Sequence, residues 1–233
     1  MRQVSFTISA SAFLLFSCML LHADKPSFAS HAQVGHSIVS PDKKIRISLR
    51  LLDENTDGDF PTQIQVHTAT ETLTTTIDFG LNAEILWSAD SKAFTVTGSS
   101  VGANGPYHSD AFIIQPGRLI HVPLTALVRG AFGHPVKCGW PESPNVGAIR
   151  WIDNSRTVLV AAEIVNHSNC DSFGTFKAFV IDINTKQILK RYGQLQVKRL
   201  YRSDLGIELR GADDTCISKP ESCFVLSNHP ELK

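Results

Sequence analysis

The chain has 233 residues, 42% of them hydrophobic and 19% charged, with 22 basic against 22 acidic residues. That length and apolar content suit one packed domain. The balanced charge, with no cluster of Lys and Arg, excludes a partner recruited by charge alone, such as nucleic acid or an anionic membrane.

The chain opens with a segment that reads as an export signal. Arg2 supplies a short positive start, Phe6 to Leu21 ("FTISASAFLLFSCMLL") is apolar, and polar sequence follows at once. Small residues place cleavage after Ala23 or after Ala32, making residues 1–32 a signal peptide and 33–233 the mature domain. Residues 1–32 carry Arg2, Lys25 and Asp24, so the processed chain has a net charge of −1. Two alternatives stand beside cleavage: a lipid anchor at Cys18, and retention of the segment as a membrane anchor, since its length approaches the ~20 residues of a spanning helix. No later apolar run approaches that length.

From Val34 onward, short runs rich in Val, Ile, Thr and Phe alternate with period two, and no helical periodicity appears. The first, "KIRISLRLL" (44–52), places Ile45, Ile47, Leu49 and Leu51 on one face. It is followed by "DENTDGD" (53–59), whose Asp53, Asn55, Asp57 and Gly58 match positions 1, 3, 5 and 6 of a calcium loop. Oxygen donors on alternate residues wrap one side of a hard cation, and glycine permits the sharp turn. The twelfth position is Ile64 rather than a bidentate acid, so Asp59 or backbone carbonyls must complete the shell. The same residues also suit a solvated hairpin turn without metal.

Further strands are predicted at "AFTVTG" (93–98), "AFIIQ" (111–115), "RLIHVPL" (118–124), "TVLVAAEIV" (157–165) and "KAFVIDI" (177–183). So is one at "GIELRG" (206–211), and a last pair of strands is counted over 195–210. Between them, "GANGPYHSD" (102–110) has the Gly, Asn and Pro content of a long loop. Its Tyr107, His108 and Asp110 form a candidate binding group, because such loops carry function more often than strands do. The stretch 130–146 is loop-like in composition, and Trp87 and Trp151 are expected to anchor the core.

Four cysteines follow the export segment: Cys138, Cys170, Cys216 and Cys223. An even number in an exported chain reads as disulfides formed in an oxidising compartment. Cys138 and Cys170 are equidistant from Asn154, the centre of a predicted hairpin turn. Cys216 and Cys223 bracket a Pro220 turn, so the expected pairs are Cys138–Cys170 and Cys216–Cys223. Asn166-His167-Ser168 is a glycosylation sequon in a host that secretes by a eukaryotic route.

One phrase recurs. "HSIVSPDKKIRISL" (36–49), "ILWSADSKAFTVTG" (85–98) and "IRWIDNSRTVLVAA" (149–162) each run strand, Asp- or Asn-bearing turn, strand. Their spacing is near a propeller-blade period. These phrases resemble the β-propeller repeats of the TolB-like and WD40-like families, which carry a "W-S-P-D-[GS]-K" turn between the first two strands of a blade. "KAFVIDINTKQILKRYG" (177–193) resembles the outer hairpin of such a blade. The resemblance implies an all-β, propeller-like array of antiparallel sheets, incomplete or open because only about three units are counted against the 4–8 blades of closed propellers. A β-sandwich sharing the turn is the alternative.

Catalytic signatures do not assemble. There is no HxH, HExxH or G-x-S-x-G, and Ser40-Pro41-Asp42-Lys43 matches S-x-x-K without its companion motifs. His108, His121 and His134 fall in separate segments. The sequence therefore reads as a secreted or periplasmic, non-catalytic binding module. Its partner is another envelope or secreted protein, or a small ligand, and its only candidate cofactor is Ca²⁺. The alternatives are a secreted hydrolase or lyase with a site assembled from loop Asp and His residues, and a structural component of an envelope complex.

Overall fold

A computed structural model describes residues 28–31, 35–52, 61–99, 106–133, 143–164 and 174–211. All of the export segment but residues 28–31, the calcium-loop residues Asp53, Asn55, Asp57 and Asp59, the four cysteines and the sequon lie outside them.

The chain enters through β1 (Phe28–His31) and then lays down three antiparallel meanders. The first comprises β2 (Ser37–Val39), β3 (Arg46–Leu51), β4 (Thr62–His67) and β5 (Thr72–Ile77). The second comprises β6 (Leu81–Trp87), β7 (Ala93–Ser99), β8 (Tyr107–Gln115) and β9 (Arg118–Val122). After helix α1 (Leu124–Phe132), β10 (Asn145–Asp153), β11 (Thr157–Glu163), β12 (Phe176–Asp182) and β13 (Gln187–Gly193) form the third. β1 pairs with β6, so the second sheet has the order β1-β6-β7-β8-β9, and none of the sheets closes into a barrel.

Side-chain alternation decides how the sheets stack. In the first, Ile47, Leu49, Ile64 and Val66 turn inward, while Ser48, Gln63, Gln65 and His67 take the opposite, less buried face. The inward residues pack on Trp87, Phe94, Val96 and Phe112 of the second sheet. Its other face, with Leu86, Ala93, Ala111 and Ile113, packs on Trp151, Val158, Val160 and Phe179 of the third. The second sheet is thus covered on both sides, which is why β7 is buried almost throughout instead of alternating. The third sheet turns Leu159, Phe176, Ala178 and Val180 towards the C-terminal helices.

Those helices correct the expectation of strands over 195–210. α2 (Gln194–Tyr201), a 3-10 turn (Arg202–Asp204) and α3 (Ile207–Gly211) stand there instead. Val197 and Leu205 bury themselves against the third sheet, with Tyr201 half-buried beside them. A single covered face of a short segment leaves too few apolar positions to reveal a helical period. α1 likewise replaces the end of the predicted 118–124 strand and the first part of the predicted 130–146 loop. Its Leu124, Val128 and Phe132 recur every fourth residue and fill the space between the second and third sheets. β4 and β5 lie outside the predicted strands, although Thr62, Ile64 and Val66 carry a clear period of two.

The repeated phrase occupies one place in each meander, the turn between its first and second strands. Each of these turns contains a non-glycine residue in left-handed conformation: Lys43 at φ 64°, Ser91 at φ 59° and Asn154 at φ 41°. The turns are also joined from sheet to sheet. The Asp42 N–H donates to Ser91 Oγ at 3.1 Å, and the Ser155 hydroxyl donates to Asp90 Oδ2 at 2.9 Å.

Candidate functional site

Pro123 lacks the N–H that would continue β9, and it stands at the N-cap of α1. Two residues on, Thr125 Oγ1 accepts the Ser109 N–H at 2.7 Å and donates to the Ser109 carbonyl at 3.0 Å. This hydroxyl replaces ladder partners for β8 and pins the first turn of α1 beside Asp110. Arg129, one helical turn later, shares the face of Thr125.

Against this helix, the end of β5 and the residues after it complete a cleft of about 370 Å³. Ile77, Phe79, Pro123 and Ala126 give it an apolar wall, and Asp78, His108, Asp110, His121 and Arg129 bring polar groups to it. An apolar concavity with a few convergent polar groups is the usual form of a small-molecule site.

The β8–β9 register places the imidazoles. Phe112 pairs with His121, and His108 and Asp110 lie on the same face of β8 as Phe112. His121 Nε2 donates to Asp110 Oδ2 at 2.7 Å, and its ring stacks on Phe112 at 5.2 Å and 16°. Phe112 stacks in turn on Phe94, and Phe94 meets Trp87 tilted at 52°, so the His121–Asp110 pair ends a packed aromatic row. Asp110 is buried, while the His121 side chain is 47% exposed.

His108 stacks on Phe79 at 5.6 Å and 20°. Burial, and then the nearby charge of Arg129, push its pKa below the usual 6.5, outweighing the opposite pull of Asp110 and Asp78. The imidazole is therefore neutral at pH 7. Burial also lowers the pKa of Arg129 from the usual guanidinium value. Among the described residues, neither Nε nor Nη2 of Arg129 has a hydrogen-bond partner, and both atoms are enclosed.

Of the candidate group Tyr107, His108 and Asp110, the structure brings the last two together and turns Tyr107 to the other face of β8, towards the third sheet. All three lie within β8 rather than in a loop. Asp78, Phe79 and Arg129 escaped the sequence reading, which named His121 but set it in a segment apart from His108. A signal for His121 existed: extending the hairpin from its Pro116-Gly117 turn sets it opposite Phe112. No local signal foretold Asp78, Phe79 or Arg129, which arrive from another sheet and a helix.

A carboxylate-oriented imidazole can accept a proton from a bound molecule. Among the described residues, no hydroxyl is hydrogen-bonded to either cleft imidazole, and no group of three or more His, Cys, Asp or Glu is arranged to hold a metal. No described helix is long and apolar enough to cross a membrane.

No family model matches the chain, and no curated protein matches it. Among solved structures, the acylaminoacyl peptidase of Pyrococcus horikoshii is similar over 71% of this chain, with a TM-score of 0.40 and 10% identity. The match spans 25% of that protein's length, and a likeness this slight carries no argument about fold or activity.

Proposed function

We propose that the chain is an exported, non-catalytic binding module built as an open, propeller-like array of the TolB-like or WD40-like kind, with the cleft beside α1 as its ligand seat. The carrying observation is the cleft itself, where an apolar wall meets convergent polar side chains held by a packed aromatic row and the anchored start of α1. The array is supported by three four-stranded meanders stacked in chain order, each turning through the same Asp- or Asn-bearing phrase between its first two strands. The ligand is a small molecule, or a side chain presented by another exported protein.

A screen of neutral and charged small molecules by NMR, read at the side chains of Phe79, His108 and His121, tests this reading. Binders are expected to shift those resonances and raise the Tm of the wild-type protein, and to do neither in Phe79→Ala. A screen in which no compound moves these resonances overturns the assignment of the cleft.

The His121–Asp110 pair favours a second reading, a secreted hydrolase or lyase in which His121 acts as general base. Turnover by the wild-type protein that is lost in His121→Ala, with ligand binding retained, would select it.

A further inference from the structure

We infer that the ligand of the cleft is a small organic monoanion, with a carboxylate seated on Arg129 and an apolar body lying against Phe79 and Pro123. This rests on the binding-module reading and gives its ligand a chemistry.

The argument begins with the two enclosed donors. Nε and Nη2 lie parallel along one edge of the guanidinium, the edge that takes both oxygens of a carboxylate at once. Enclosed donors on a charged group are costly when unpaired. Arg129 stands in the last turn of α1, where the helix dipole favours a cation, but that field leaves the two N–H groups unbonded. The acids of the cleft do not serve them either. Asp110 accepts from His121, and Asp78 is exposed, with no ion pair joining either acid to Arg129 among the described residues. An anion entering the cleft gains these two donors after a turn of the guanidinium about its side-chain bonds.

Charge and shape then narrow the class. With His108 neutral, Arg129 is the principal cation facing the cleft, and Asp78 and Asp110 oppose any second negative charge. That balance suits a monoanion over a dianion such as phosphate near neutral pH. The stacked rings of Phe79 and His108, with Ile77, Pro123 and Ala126, offer an apolar surface that a bare inorganic anion cannot use.

The test titrates the full mature protein with benzoate, its neutral isostere benzamide, and inorganic phosphate, read by NMR at Phe79 and His108 and by thermal unfolding. Benzoate is expected to bind about tenfold or more tighter than benzamide, and tighter than phosphate. Arg129→Met should erase the preference for benzoate. Without added anion it should unfold at the same temperature as the wild type or higher, because it removes enclosed donors that have no partner. Arg129→Lys keeps the charge without the fork, and is expected to bind benzoate weakly while folding normally. Benzamide binding as tightly as benzoate, phosphate binding more tightly than benzoate, or undiminished benzoate binding by Arg129→Met each overturns the inference and leaves the binding module standing. Silence of the cleft resonances towards all three probes also overturns it. The binding-module reading falls only if the wider screen is silent as well.

Discussion

Asp90 receives hydrogen bonds from its own turn and from the next sheet: the Ser88 hydroxyl at 2.8 Å, the Lys92 N–H at 3.4 Å and the Ser155 hydroxyl at 2.9 Å. Burial acts to raise its pKa, but these donors and the charge of Lys92 outweigh it and hold the carboxyl below 3.8. Asp42 is lowered in the same way, by Ser40, the Lys44 amide and Ser91 against the effect of burial. The stability these two aspartates contribute is present above pH 3.8 and lost as the pH falls through their lower folded values. His108 behaves in the same sense at higher pH. Its folded pKa lies below 6.5, so protonation favours the unfolded chain, and stability is lost as the pH drops below 6.5. Chemical denaturation is expected to show a step beginning near pH 6.5 in the wild type and absent from His108→Phe. Asp90→Ala should cost about 1–2 kcal/mol at pH 7. Gly80 imposes a different limit, because a Cβ there would stand 2.6 Å from the Cβ of buried Thr62. Gly80→Ala is expected to cost about 1–3 kcal/mol, measured by the same denaturation.

Among the elements, β1 bears on processing. It pairs along its whole length with β6, from Phe28↔Trp87 to His31↔Glu84. Cleavage after Ala32 would remove this strand, whereas cleavage after Ala23 keeps it. If the chain is exported as proposed, N-terminal sequencing of the processed protein is therefore expected to begin at Asp24. A chain starting at Gln33 should melt at a lower temperature, by about 2–4 °C for each kcal/mol lost. The β10–β11 hairpin bears on the cysteines. Near its open end Asn145↔Glu163, Val146↔Ala162 and Ala148↔Val160 are each equidistant from residue 154, the symmetry on which the Cys138–Cys170 pairing rests. Non-reducing peptide mapping that joined either cysteine to Cys216 or Cys223 would refute that pairing.

For the whole molecule, the two ends of the stack differ. The first sheet presents Gln63, Gln65 and His67 on its outer face, while the third is roofed by α2 and tied to the 3-10 turn after it by the Arg150–Asp204 ion pair at 2.8 Å. A polar outer face and a helical cap are two ways for a stack of sheets to end without exposing a core. Truncation after Gly193 would uncover Leu159, Phe176 and Ala178. A large buried apolar side chain that loses its cover, such as Leu159 or Phe176, forfeits up to about 1.5–3 kcal/mol. The truncated chain is expected to self-associate in size-exclusion chromatography with light scattering, whereas an unchanged monomer would show that α2 is dispensable.

Most of the strands, their turns and the burial of Trp87 and Trp151 were legible in the sequence, because alternation and turn chemistry act between neighbours along the chain. The resemblance among the three phrases was legible too, and its cause is local: each phrase builds a turn with one left-handed residue. Half of the cleft was also within reach, since His108 and Asp110 stand two apart on one strand and must share its face. The remainder depended on distant segments meeting. Short helices such as α2 show few apolar positions when one face alone is covered, so only the third sheet beneath it reveals why Val197 and Leu205 are apolar. Arg129 is an ordinary helix-end cation until packing encloses two of its donors beside Phe79, His108 and Asp78, and that juxtaposition of a helix with two sheets is decided by the tertiary fold.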